Sequence, residues 1–116
     1  NPDVDLAPAA LVLSRVVSHP APDVATCDAG SKALSAEGGD PCAFVLGRRG
    51  LAAKTPSEEH LPLACAPGAR PPRGAALLLV PWHVCPTVNL AEEAVLLERG
   101  REPRVVPVAA RAHELC

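Results

Sequence analysis

The chain has 116 residues, the size of one domain, and its 11 Lys+Arg against 13 Asp+Glu leave a net charge of −2, which excludes a nucleic-acid module working through a basic face. Apolar residues make up 48% of the sequence, enough for a core and too many for a disordered segment. One Trp (Trp82), one Phe (Phe44) and no Tyr exclude aromatic platforms that stack bases or sugars, and leave Leu, Val and Ala to fill the interior.

In chain order, short apolar segments alternate with turn signals. Residues 1–10 read as a loose lead-in. Residues 11–17 (LVLSRVV) form a branched run that stops at His19-Pro20. Residues 24–27 follow a Pro-Asp turn, 43–46 precede Gly47, and 51–54 follow Gly50. Residues 64–74 (ACAPGARPPRG) are a loop by composition. Residues 76–80 are the strongest strand and stop at Pro81. Residues 91–99 suit a short helix on propensity, but their neighbours favour a strand over 94–97. Residues 105–108 close the set, with Pro107 marking an edge or a bulge. Seven or so short strands separated by turns predict a mainly β fold, a small antiparallel barrel or distorted sandwich.

The longest apolar run, residues 75–80, is far below the roughly 20 residues a membrane helix needs, and no segment is patterned as a secretory leader. The sequence has no methionine and reads as a piece of a longer protein. Its five cysteines (Cys27, Cys42, Cys65, Cys85, Cys116) are odd in number, widely spaced and without C-x-x-C. That pattern suits a reducing, cytoplasmic compartment in which most of them act as small buried hydrophobes.

Three stretches could carry chemistry. The first is residues 81–90, PWHVCPTVNL. Pro81 and Pro86 predict an extended segment with helix blocked, in which His83 and Cys85 project to one face, with Thr87 and Asn89 beyond them. An imidazole and a thiolate at this spacing suit zinc, which lowers the thiol pKa and, with two protein donors, keeps open positions for substrate. The alternative is a solvent-facing His83 and a buried Cys85 thiol. The second stretch is residues 27–35, CDAGSKALS, a polar turn at a strand end. There Asp28 bonds turn amides, and Lys32 is either a Schiff-base or anion-contacting lysine or a solvated one. The third is residues 57–60, SEEH. As a strand it would put Glu58 and His60 on one face, an acid–base pair or an exposed polar edge. His19 and His113 read as isolated surface or turn residues, and Cys116 as a terminal exposed one. No nucleophile elbow, P-loop or dinucleotide glycine pattern is present.

In this order, D-A-G-S-K-A-L-S, S-E-E-H, P-W-H-V-C-P-T-V-N-L and V-P-V-A-A-R resemble the C-terminal domain of the D-serine dehydratase-like and D-threonine aldolase-like enzymes, from about Leu11 to Arg111. The resemblance implies that residues 11–116 are the β-domain of a two-domain enzyme. The N-terminal α/β barrel, absent from this sequence, would hold pyridoxal phosphate on its own lysine, which neither Lys32 nor Lys54 matches. His83 and Cys85 would be the ligands of a divalent metal beside that cofactor. The aldolase branch tends to carry Asp at the second ligand position, so Cys85 leans toward the dehydratase branch and toward zinc.

The implied reaction is β-elimination from a small D-3-hydroxy amino acid to a 2-oxo acid and ammonia, with retro-aldol cleavage as the alternative. The fragment alone would be inactive. Its implied partners are the missing barrel and a second subunit in a homodimer, with neither nucleic acid nor membrane, and an apolar surface would be left exposed in the isolated piece. Asp28, Ser31, Lys32, Glu59 and His60 match the family's blocks without an assigned role, and His19 departs from the Arg often found at its position. A non-catalytic β-module that keeps the shape for protein interaction is the reading from a different class.

Overall fold

Side chains alternate in and out with period two along the long strands of the main sheet, which curls until it nearly closes. The computed structural model describes residues 7–112. Its elements in chain order are β1 (Val12–Ala21), β2 (Val24–Cys27), β3 (Ala43–Val45), β4 (Leu51–Ala53), β5 (Leu61–Cys65), β6 (Ala76–Pro81), α1 (Val84–Asn89), β7 (Glu93–Leu96) and β8 (Arg104–Pro107). Six strands form one antiparallel sheet in the order β3-β6-β1-β2-β5-β4, and β7 and β8 pair separately as a hairpin. The mainly β, barrel-like fold expected from the sequence is what forms.

The inward positions make the core. Ser14 and Val16 of β1, Ala25 and Cys27 of β2, Leu61, Leu63 and Cys65 of β5, and Leu77 and Leu79 of β6 are all buried. Leu34 and Cys42, from the connection between β2 and β3, are buried in the same core. Burial raises the pKa of the Cys27 and Cys42 thiols, so both stay protonated and act as the small hydrophobes the sequence suggested.

Four expectations need correction. First, β1 does not stop at His19-Pro20 but runs to Ala21. Register shifts between Val16 and Ser18 and between Ser18 and Ala21 let it bend and admit Pro20 without a ladder bond. Second, Leu61–Cys65 forms a strand, β5, that was not among those expected, and its last two residues fall in the segment expected as loop. Leu61, Leu63 and Cys65 carry its inward face, and Pro62 and Ala64 between them point out. Third, residues 57–60 precede that strand and are not part of it.

Fourth, residues 84–89 are helical, not extended. Pro86 is the third helical residue, where the missing N–H would have had no intrahelical partner anyway. Proline there is compatible with the helix it was expected to block, and the shared face expected of His83, Cys85, Thr87 and Asn89 goes with the extended backbone: Thr87 is buried while the other three are exposed. The 94–97 strand is present as β7, and Pro107 lies on an edge, as expected. His113, Cys116 and residues 1–6 of the expected lead-in lie outside the described residues.

The outward face of β3, β6 and β1 is largely apolar, with Arg15 its charged exception. Leu13 sits directly opposite Leu78, and Phe44 opposite Val80. Leu46 donates its N–H to the Leu78 carbonyl at 2.8 Å, and Trp82 packs on Phe44 with ring centroids 5.8 Å apart. Leu13 is 68% exposed and Phe44 48%. This is the contiguous apolar surface expected of the isolated piece. The β7–β8 hairpin is likewise open to solvent, with only Val106 half-buried.

Candidate metal centre

The strand β6 delivers the chain to its end at Pro81, and the next residues turn into α1. His83 is the N-cap of α1, with extended backbone (φ −117°, ψ 105°) and a side chain that makes no capping bond. Cys85 is in the first turn. Both side chains are exposed, so the alternative of a buried Cys85 thiol does not hold. Among the described residues no hydrogen bond or ion pair engages the His83 ring or the Cys85 sulfur.

The loop before β3 is shaped around this turn. Gly38 lies against His83: a Cβ there would approach Nδ1 to 3.2 Å, and its φ of +85° is one that side-chain-bearing residues rarely adopt. A Cβ on Gly39 would collide with the Trp82 ring. Two glycines in succession thus let the backbone pass under both aromatic side chains. The borderline-soft character of the N and S donors suits a divalent metal of the zinc type. The described residues contain no group of three or more His, Cys, Asp or Glu poised around one point, so this pair would supply two donors and leave the remaining positions to groups from elsewhere.

The other two stretches meet each other and then meet this turn. Asp28 accepts bonds from the Arg15 N–H (2.9 Å) and the Ser14 hydroxyl (2.8 Å). The backbone bond from Arg15 is the larger cause that holds its carboxyl below the ordinary value. Its place is structural: it pins the turn after β2 onto β1. Ser31 and Lys32 donate their N–H groups to the Ser57 and Glu58 carbonyls at 2.8 and 3.1 Å. Gly30 makes that approach possible, because a Cβ there would penetrate the Glu58–Glu59 peptide.

Lys32 Nζ then pairs with Glu59 at 2.7 Å and Glu58 at 3.8 Å. The hydrogen bond to Glu59 is the main cause that raises its pKa. A lysine held charged is the opposite of a Schiff-base nucleophile. The proposed Glu58–His60 acid–base pair is not formed: both carboxylates turn to Lys32, and the His60 N–H caps the Ser57 hydroxyl at 3.2 Å. His19 is not a free surface residue either. Its half-buried ring meets the Pro71 carbonyl at 2.7 Å and ties the 66–74 loop to β1.

Thr87, expected to project beyond His83 and Cys85 on their face, has a different place. It is buried at 5% exposure, accepts the Ser35 N–H at 3.1 Å and donates to the His83 carbonyl at 2.8 Å. Its signal was present in the sequence only once α1 is known: residues i and i+4 of a helix lie one above the other.

The chain matches known proteins over most of its length. The model of the serine dehydratase domain family covers residues 9–97. The D-threonine aldolase of an Arthrobacter species is 42% identical over 101 residues, 86% of this chain and 26% of that protein. The 3-hydroxy-D-aspartate aldolase of Paracoccus denitrificans is 37% identical over 103 residues, 89% of this chain and again 26% of that protein. Among solved structures, the D-threo-3-hydroxyaspartate dehydratase of Delftia sp. HT23 superposes with a TM-score of 0.70 at 25% identity, covering 90% of this chain and 32% of that one.

Proposed function

The chain belongs to the serine dehydratase domain family, and we propose that it is the metal-bearing β-domain of a pyridoxal phosphate-dependent lyase for small D-3-hydroxy amino acids, working by β-elimination to a 2-oxo acid and ammonia. The observation that carries this is the exposed His83–Cys85 pair on the turn after β6, unengaged among the described residues. The relatives support it in kind, since each is named for a D-amino acid with a hydroxyl on Cβ. The chain spans 26% of the length of those two aldolases, and the remainder of such a polypeptide would be the pyridoxal phosphate-binding barrel, assembled as a homodimer in the cytoplasm. Among the described residues no helix is long and apolar enough to cross a membrane.

In this reading pyridoxal phosphate provides the electron sink for the carbanion, and a divalent metal provides a Lewis acid for the substrate hydroxyl, which is otherwise a poor leaving group. His83 would contribute a neutral ring nitrogen to that metal and Cys85 a thiolate, two donors that leave positions open for the substrate. The close approach of Gly38 limits where the imidazole can swing. Lys32, committed to Glu59 and Glu58, would not hold the cofactor, so the chain alone would be inactive.

Retro-aldol cleavage is the second reading, favoured by the 42% identity to a D-threonine aldolase. Cys85 in place of a carboxylate at the second donor position favours elimination. Turnover separates the two. The full-length natural polypeptide, given D-serine, D-threonine and 3-hydroxy-D-aspartate, is expected to release 2-oxo acid and ammonia, and His83→Ala to lower that rate on the order of a hundredfold or more. Glycine plus an aldehyde as the products would establish the aldolase. No turnover of any of the three would remove the lyase reading and leave the non-catalytic β-module.

A further inference from the structure

We propose that Thr87 is the positioning residue of the metal pair: its hydroxyl locks the turn that carries His83 and Cys85 onto the loop formed by residues 31–35. The inference rests on His83 and Cys85 being the metal-holding pair. Within α1, Thr87 is the buried residue, with Pro86 half-buried and the others exposed. The helix is therefore anchored through a hydroxyl and not through an apolar side chain.

That hydroxyl is used on both sides. Its proton goes to the His83 carbonyl and one lone pair takes the Ser35 N–H. A threonine bond to the carbonyl four residues earlier is commonplace in helices. A bond from the same oxygen to a buried amide 52 residues away is not, and it fixes where the first turn of α1 sits.

The loop on the other side of that bond is itself immobilised. Leu34 is fully buried, Ser31 and Lys32 are bonded to the 57–58 backbone, and Gly30 is pressed against it. A continuous path of hydrogen bonds and close contacts therefore runs from residues 57–59 through Gly30 and Ser35 to Thr87 and the His83 carbonyl. Two donors bind a metal well only if they are already held, because ordering them at the moment of binding subtracts from the affinity. The D-A-G-S-K block thus acts on the metal through Thr87, without touching it.

The test uses cobalt(II) as the probe and the full-length natural polypeptide stripped of metal. The thiolate-to-cobalt absorption band reports Cys85 directly. Thr87→Val, which keeps the shape and removes the hydroxyl, is expected to weaken cobalt(II) binding about tenfold. It should also accelerate hydrogen exchange at the Ser35 amide in the metal-free protein. Thr87→Ser, which keeps the hydroxyl, is expected to restore both. Unchanged affinity in Thr87→Val, or a loss that Thr87→Ser does not restore, would overturn the role of Thr87 while a cobalt band abolished by Cys85→Ser left the metal pair standing. A wild-type protein with no such band would overturn the pair and this inference together.

Discussion

Residue by residue, His83 and Cys85 stand out in the sequence as donor types, but the shared face expected of them rested on an extended backbone that α1 replaces. Their neighbours were not legible, since which side chain meets which depends on backbone paths set by distant strands. Gly30 shows this plainly. Its place in D-A-G-S-K marks a turn, but its necessity comes from the Glu58–Glu59 peptide lying against it. Gly30→Ala is expected to cost about 1–3 kcal/mol in denaturant unfolding, because backbone cannot rotate out of the way as a side chain can. A loss within experimental error of zero would mean the two segments do not touch.

Asp28 gives a pH signature. Its folded-state pKa is depressed by the Arg15 N–H and then by the Ser14 hydroxyl. Its stabilisation is therefore complete above the ordinary value of 3.8 and lost as the pH falls through that value and below it. Asp28→Asn should lower stability at about pH 7 and converge with the wild type as the pH falls below the depressed folded-state value of the Asp28 carboxyl. Parallel pH profiles for the two proteins would contradict this.

At the scale of elements, most strands announced themselves through branched apolar runs between turn residues. β5 was hidden because Pro62 and Ala64 weaken an alternation that only Leu61, Leu63 and Cys65 carry. The helix α1 was hidden for a related reason: proline was weighed as a helix breaker without regard to its position, and in the first turn it breaks nothing. The two strands of the β7–β8 hairpin were expected, the first over a competing short helix, yet the hairpin gains little from the barrel. Val95 and Val105 face each other in the open, and ion pairs of Glu98 with Arg101 and Arg104 lie at the surface. Two strands alone are marginal in water. Native-state hydrogen exchange should therefore show β7 and β8 opening on the order of a hundredfold or more faster than β1, β2 and β5. Equal protection across both sheets would show that the hairpin is held by the barrel after all.

At the scale of the whole molecule, the apolar outer face of β3, β6 and β1 has a direct consequence. The isolated chain is expected to self-associate, and Leu13→Lys, placed at the most exposed of those positions, to restore a monomer in sedimentation velocity. A wild-type chain that sediments as a monomer at every concentration would contradict that expectation. The strand order also dictates a sequence of events in time. β1, β2, β5 and β4 are neighbours that can assemble as soon as residue 65 has left the ribosome, but among the described residues β3 pairs in the ladder with β6 alone. β6 must in turn reach back across more than half the chain to β1, a long loop closure that nothing nearer in sequence rewards. The last barrel strand to be synthesised is the one that closes it. Until it arrives, β3 and the outward edge of β1 remain open to pairing with whatever strand comes near.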